Sequence, residues 1–101
     1  MMVDFDWDHG NSAKCEKHGL TRAQIEAMFR AVLHVAPDPE HSTIAEQRFI
    51  AVGMTPEGRP AFIAFCWRDG KIRPISARYM HAREVARYAQ AFPEIRSGPD
   101  H

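Results

Sequence analysis

The residues best suited to chemistry lie in one stretch, residues 70–78 (GKIRPISAR), which carries Arg73 and Arg78 and is followed by Glu84. The stretch is typical of a strand that ends where a helix begins. Strict alternation predicts two faces, one with Ile72, Pro74, Ser76 and Arg78 and the other with Arg73, Ile75 and Ala77. An arginine at a strand end suits an anion such as phosphate, because its planar donors match two oxygens at once. The alternative is structural: Glu84 is an obvious carboxylate partner for one of these arginines.

Length and composition limit the other possibilities. The chain has 101 residues and 45% apolar residues, so we expect one folded domain over residues 1–96 and a disordered tail over 97–101. It has 13 basic and 13 acidic residues, so its formal net charge is zero. The whole-molecule charge therefore does not indicate a nucleic-acid binder, and any such role must rest on local patches.

The sequence also bears on compartment and cofactors. It contains no apolar run long enough to span a membrane, and its acidic N-terminus is not typical of a signal peptide, so we expect a cytoplasmic protein without a membrane partner. Cys15 and Cys66 fall in different predicted elements and are expected to be free thiols. Cys15 and His18 have a spacing seen at zinc sites, but no second ligand pair accompanies them, so we predict no metal and no cofactor.

Three helices are predicted from capping signals and apolar periodicity. Asp8 is a candidate N-cap for a short helix that continues to about Lys17. Thr21 and Gln24 have capping-box spacing, and the apolar period continues to Leu33, which predicts a helix of about three turns. A last helix is expected over residues 81–92, with Tyr88 on its apolar face, where packing in the core competes with stacking on a base.

Four strands are predicted around these helices, over residues 3–7, 46–52, 61–67 and 71–78. Asp69-Gly70 predicts a hairpin turn, and Pro74 predicts an unpaired or bulged position because it has no N–H to donate. The short links favour antiparallel pairing. The fold class is therefore α+β: a small antiparallel sheet of about four strands, with helices on one face and with Arg48, Ser76 and Arg78 on the other.

The chain resembles the BrnT-type toxins of bacterial type II toxin–antitoxin modules. The resemblance extends over nearly all of residues 3–90. It is carried by Phe5-Asp6-Trp7-Asp8, Lys17-His18-Gly19-Leu20, Asp38 with His41-Ser42, Glu46-x-Arg48-Phe49, and Ile72-Arg73-x-Ile75-Ser76-Ala77-Arg78 with Glu84 and Tyr88. It implies a RelE-like fold and ribonuclease activity that inhibits translation. It further implies a BrnA-like antitoxin with a ribbon-helix-helix part, and a homodimer or a heterotetramer in which two antitoxin chains bridge two toxins.

Metal-independent cleavage of RNA needs a base for the ribose 2′-hydroxyl, an acid for the leaving oxygen, and positive charge on the phosphate. We predict Arg48 and Arg78 as the phosphate clamp and His18 as base or acid, since histidine titrates near neutral pH. Lys17 would add charge, and Glu46 or Glu84 would orient an arginine or take a proton. The remaining predicted site residues are expected to bind substrate: Arg73, Ser76, Glu84 and Tyr88.

Structural explanations compete with these roles. Lys17 and His18 precede a helix-ending glycine, where cations are favoured by the helix dipole. Glu46 and Glu84 would serve equally well as ion-pair partners. Two other functions therefore stay open: a non-catalytic module that only binds an antitoxin, suggested by the neutral charge and by Tyr79 where the family often has a basic residue, and an RNA-binding domain without cleavage.

Overall fold

The computed structural model describes residues 3–96. It contains three helices, α1 (His9–Glu16), α2 (Arg22–Phe29) and α3 (Ala82–Ala91), and a 3₁₀ turn at Pro39–His41. Its four strands are β1 (Leu33–Pro37), β2 (Arg48–Met54), β3 (Pro60–Arg68) and β4 (Lys71–Tyr79). The expected tail, residues 97–101, lies outside the described residues.

The strands form one antiparallel sheet in the order β1-β2-β3-β4, so each strand pairs with its neighbour in sequence. The predicted α+β class, with two N-terminal helices and one C-terminal helix, is confirmed. The hairpin between β3 and β4 is confirmed at Asp69-Gly70, where both residues have positive φ (53° and 75°). That geometry matches the right-handed twist of the paired strands.

One predicted strand and part of one predicted helix are wrong. Residues 3–7 make only an isolated parallel bridge, Phe5 to Ile72, rather than a strand of the sheet. The fourth strand is instead β1, in a region where the sequence predicted the end of α2 and a loop. Short apolar runs do not distinguish helix from strand by periodicity. Residues 33–37 form a strand because they pair with β2. Gly53 of β2 allows Leu33 to lie close to it, since a Cβ at position 53 would lie 2.7 Å from Leu33 Cδ2.

Helices cover both faces of the sheet, so the prediction that they cover only one is also wrong. The main core, on the face covered by α1 and α2, contains Cys15, Leu20, Ile25, Met28, Ala51, Ala61, Ile63, Phe65, Ile72 and Ala77. On the opposite face, α3 and the segment after it pack over a smaller cluster: Val52, Met80 and Ile95, with Phe62, Val85, Tyr88 and Phe92 against them. The helix α3 covers only part of that face, which leaves the rest open.

A bulge in β4 changes which side chains share a face. Ala64 pairs with Ser76, but the next residue of β3, Phe65, pairs with Pro74, so Ile75 is the extra residue. The irregularity expected at Pro74 is therefore confirmed. Because the extra residue reverses the alternation, Ile72 joins Ala77 in the main core, and Arg73 moves to the face of Ser76 and Arg78. The prediction that Arg73 lies on the other face is wrong for this reason.

Both cysteines are free and buried, as predicted. Burial raises the pKa of the Cys15 thiol to about 11. None of the helices over residues 3–96 is long and apolar enough to cross a membrane.

Candidate active site and nucleic-acid interface

The partly open face of the sheet presents three consecutive rows of side chains across β2, β3 and β4. Paired residues of antiparallel strands project to the same side, and successive rows on one face are about 7 Å apart. The rows are Val52–Phe62–Arg78, Ile50–Ala64–Ser76 and Arg48–Cys66–Arg73. The helix α3 packs at the first row and α1 lies beside β4, so two hollows remain on this face.

The first hollow, which we call the Arg78 hollow, has a volume of about 360 Å³. It lies between α3 and the end of α1, and it is open to solvent. Its lining residues are His18, Ile50, Phe62, Ala64, Ser76, Ala77, Arg78, Glu84 and Tyr88. It therefore brings together a histidine, an arginine, a carboxylate and two hydroxyl groups above an apolar floor.

Arg78 is held in a fork-to-fork ion pair with Glu84. Its Nη1 and Nη2 donate to Oε1 and Oε2 of Glu84 at 2.9 and 2.8 Å, while its guanidinium lies 4.6 Å from the centre of the Phe62 ring. The hydrogen bonds from Arg78 lower the pKa of Glu84 to about 2, and the pairing raises the pKa of Arg78. Both groups are therefore charged at neutral pH. The Arg78 side chain remains 43% exposed, so a ligand can still reach it.

The second hollow, which we call the Arg48 hollow, has a volume of about 280 Å³. It lies at the row Arg48–Cys66–Arg73, next to the first turns of α1. It is lined by Gly10, Asn11, Lys14, Glu46, Arg48, Cys66, Arg68, Arg73 and Ile75. Arg48 Nε donates to Glu46 at 2.9 Å. Burial raises the pKa of the Cys66 thiol, so this thiol is uncharged at neutral pH.

Arg73 is the most enclosed of these arginines. Its side chain is 14% exposed, Nη2 lies 2.9 Å from Asp8 Oδ2, and Nη1 lies 3.5 Å from Asp6 Oδ2 without a hydrogen bond. Burial acts to lower the pKa of Arg73, but the hydrogen bond and charge of Asp8 outweigh it, and the net pKa is raised. Arg73 is therefore a fixed positive charge below the hollow.

Asn11 is a site residue that the sequence analysis missed. It is 5% exposed, and its Nδ2 donates to the carbonyl oxygens of Asp6 (2.9 Å) and Pro74 (2.8 Å). Its Oδ1 accepts from the Asp8 N–H at 2.7 Å, and Asp8 Oδ1 accepts from the Asn11 N–H at 3.0 Å. The signal in the sequence is the spacing of Asp8 and Asn11, which matches a capping box with asparagine in place of glutamate. Asn11 thereby fastens α1 to the bulged part of β4.

The structure separates the residues predicted to act together. Arg48 and Arg78 share a face, as expected, but they lie two rows apart, about 13 Å along the strands, and line different hollows. The residue opposite Arg48 across Cys66 is Arg73. Lys17 is exposed at the C-cap of α1 and lines neither hollow. The other predicted site residues divide between them: His18, Ser76, Glu84 and Tyr88 in the Arg78 hollow, and Glu46 in the Arg48 hollow.

Within residues 3–96, one group of side chains could bring three metal-ligating atoms together: Asp38, Glu40 and His41, all within 4.8 Å of one another. The group lies on the 3₁₀ turn and lines neither hollow, although the Asp38 N–H donates to the Arg48 carbonyl oxygen at 2.8 Å. His41 Nδ1 is 2.8 Å from Asp38 Oδ2, and the Ser42 hydroxyl donates to the Asp38 carbonyl at 2.7 Å. These contacts stabilise the turn that leads into β2, which explains why the three side chains lie together.

Comparison with known families identifies the chain. A sequence model described as "Ribonuclease toxin, BrnT, of type II toxin-antitoxin system" matches residues 7–84. The chain belongs to the BrnT family. No curated protein matches it significantly. The BrnT family consists of toxins of type II toxin–antitoxin systems, so membership implies an antitoxin partner. The matched range includes both hollows except Tyr88, so the open face lies within the part of the chain that defines a BrnT toxin.

Proposed function

We propose that the chain is an endoribonuclease that cleaves RNA without a metal ion, with the scissile phosphate in the Arg78 hollow. The observation that carries this proposal is that His18, Arg78 and Glu84 line one open hollow on the sheet face. Such a set supplies an imidazole that can take or give a proton and a cation oriented by a carboxylate. Cleavage of messenger RNA in the cytoplasm would then inhibit translation.

The proposed reaction is attack of the ribose 2′-oxygen on the adjacent phosphorus. The bond from phosphorus to the 5′-oxygen breaks, which leaves a 2′,3′-cyclic phosphate and a free 5′-hydroxyl. His18 either takes the 2′-hydroxyl proton, while water protonates the 5′-oxygen, or protonates the 5′-oxygen, while water takes the 2′-hydroxyl proton. Arg78 faces the phosphate oxygens, whose negative charge grows in the transition state.

Other residues of the face have supporting roles in this proposal. Glu84 orients Arg78 through its two hydrogen bonds, and Ser76 and Tyr88 contact the bound nucleotides. Lys17, next to His18 in sequence and exposed, adds positive charge at the entrance. Arg48, oriented by Glu46, is one row beyond the hollow and contributes to binding rather than to the bond-breaking step.

The experiment is cleavage of a labelled RNA by purified chain free of antitoxin, with a chelator present. We expect Arg78→Ala to lower the rate by about 100-fold or more, the usual cost of removing a preorganised transition-state donor. Arg83→Ala is the matched control, because Arg83 is an exposed arginine on α3 that lines neither hollow. Intact RNA with the wild-type chain would refute the proposal, as would equal rates for wild type and Arg78→Ala.

A second candidate is a module that binds its antitoxin without catalysis. It is favoured by the fork of Arg78, which is already occupied by Glu84. Growth arrest on expression of the chain alone would exclude it.

For either candidate we propose a ribbon-helix-helix antitoxin of the BrnA type, with two antitoxin chains bridging two copies of this chain. The mass of the purified complex would test that stoichiometry, and a mass of one toxin with one antitoxin would contradict it.

A further inference from the structure

The Arg48 hollow carries more positive charge than the proposed reaction requires. Four cations line it, Lys14, Arg48, Arg68 and Arg73, against one carboxylate, Glu46. The chain as a whole is neutral, with 13 basic and 13 acidic residues, so this local excess is not a reflection of composition. The Arg78 hollow, by contrast, has one arginine that is matched by one carboxylate.

The cations come from separate elements that the fold brings to one place. Arg48 in β2 and Arg73 in β4 flank Cys66 in β3, which places their Cα atoms about 10 Å apart. Lys14 projects from α1, and Arg68 lies at the end of β3. Arg73 takes this position only because of the bulge at Ile75, and Asn11 holds that bulge to α1.

Ion pairs within the protein do not neutralise all the cations of the Arg48 hollow. Arg48 and Arg73 each have a close carboxylate, but Arg68 Nε is 3.9 Å from its nearest one, Asp6 Oδ2, and the Arg68 side chain is 49% exposed. Lys14 takes part in none of the ion pairs found over residues 3–96. Lys14 and the exposed Arg68 are therefore available to bind an anion, whereas the charge of Arg73 beneath them is offset by Asp8 and Asp6.

The two hollows lie on consecutive rows of the same face. The row Ile50–Ala64–Ser76 belongs to the Arg78 hollow, and the row Arg48–Cys66–Arg73 is about 7 Å further along the strands. No strand or helix described between residues 3 and 96 separates them on this face. A linear polyanion can thus cross from one hollow to the other.

We infer that the Arg48 hollow is a second phosphate-binding site, which holds a neighbouring phosphodiester of the RNA strand whose cleavage is proposed in the Arg78 hollow. The ligand is the backbone of single-stranded RNA, bound by charge rather than by base identity. This inference rests on the proposed function for the nature of the ligand. It assigns binding roles to Lys14 and Arg68 and explains why Arg48 and Arg78 are too far apart to hold one phosphate.

The test measures binding without cleavage. The probe is a fluorescent ten-nucleotide RNA with 2′-O-methyl groups, which lacks the attacking hydroxyl, titrated with the chain at several salt concentrations. The variant is Lys14→Ala with Arg68→Ala, both exposed positions whose truncation leaves the core intact. We expect binding at low salt to weaken about tenfold or more. The slope of log K against log salt should become less steep by about 0.7, the value for the one phosphate of a single strand that the variant no longer neutralises.

A matched control changes charge by the same amount on the other side of the molecule. Arg22→Ala with Arg30→Ala removes two exposed arginines at the two ends of α2, which packs on the opposite face of the sheet. We expect its affinity to stay within about twofold of the wild type with an unchanged salt slope.

The outcomes separate this inference from the proposed function. Equal losses for the Lys14/Arg68 variant and the α2 control would overturn the second site, even if the chain cleaves RNA. The same holds if the wild-type chain does not bind the probe at all. A selective loss with no cleavage of ordinary RNA would support the second site while refuting the ribonuclease.

Discussion

Arg78 and Glu84 join the end of β4 to the first turn of α3 through two hydrogen bonds of 2.9 and 2.8 Å. The same carboxylate accepts from the His81 N–H at 2.8 Å and so caps the helix. Glu84 therefore orients the arginine of the proposed site and also fixes the helix that forms one wall of that site. A single side chain thus connects the stability of α3 to the geometry of the proposed site.

The first prediction concerns the pH dependence of stability through Glu84. Its pKa is lowered from 4.5 to about 2 by Arg78, so its contribution is fully present above about pH 4.5 and is lost as the pH falls from 4.5 to 2. We expect Glu84→Gln to lower the free energy of unfolding at pH 7 by about 1–2 kcal/mol, a value reduced for the solvent exposure of Arg78. Urea unfolding across this pH range measures the effect.

The difference between Glu84→Gln and wild type should disappear near pH 2, where the Glu84 carboxyl of the wild type becomes protonated. Glu40→Gln is the control, because Glu40 is exposed on the 3₁₀ turn, and its stability profile should follow the wild type. A difference that stays constant between about pH 7 and about pH 2 would contradict the pairing described here.

The second prediction separates His18 from its neighbour Lys17. His18 lines the Arg78 hollow, whereas Lys17 does not. We expect His18→Ala to slow RNA cleavage by about 10²- to 10⁴-fold, the usual contribution of a general acid or base. Lys17→Ala should cost less than about tenfold, because it removes only charge at the entrance. Comparable losses for the two variants, measured as initial rates, would argue against His18 as the proton-transfer group.

The third prediction concerns Asn11. Its side chain satisfies one N–H and two carbonyl groups at the junction of α1 with β4. Asn11→Ala leaves these groups without partners, and we expect it to lower the free energy of unfolding by about 2–4 kcal/mol. Ser12→Ala, which removes only a long exposed contact of 3.3 Å to Glu16, should change it by less than about 0.5 kcal/mol. A cost for Asn11→Ala as small as that of the Ser12 control would contradict the assignment.

The fourth prediction tests the bulge by deletion. Residues 61–68 of β3 pair with the longer segment 71–79 of β4. Removal of Ile75 therefore leaves a ladder without a bulge, in which all the remaining side chains of β4 keep their present faces. We expect the Ile75 deletion to fold and to lose about 1 kcal/mol, from the partly buried side chain. It should also keep the binding of RNA through Arg73.

Deletion of Ala77 is the matched comparison. It also shortens β4 by one residue, but it moves Ser76 into the buried position of Ala77 and takes it away from the open face. We expect a loss of about 3 kcal/mol, because a buried hydroxyl and a changed core replace a well-packed methyl group. Equal losses for the two deletions would show that Ile75 is not a dispensable extra residue.

Local signals in the sequence were sufficient for several parts of the fold. Thr21 and Gln24 form the predicted capping box, with bonds of 2.7 and 3.1 Å. Asp8 caps α1, and Asp69-Gly70 makes the tight turn before β4. Each of these depends on residues close together in the chain, and for that reason the pattern of residue types predicts them. The residues of the proposed site were named from the resemblance over residues 3–90, and their roles stay predictions.

The sheet face and the row on which each arginine lies were decided by tertiary structure alone. Whether β4 alternates strictly depends on its register with β3, and the extra residue at Ile75 turned Arg73 to the open face. The strand β1 likewise depends on pairing with β2, where Gly53 leaves space for the Leu33 side chain. The sequence by itself thus determined which residues carry charge and where turns and caps occur. Only long-range pairing decided that Arg48 lies in the same row as Arg73 rather than Arg78, because the register between two strands is not encoded in the local pattern of either.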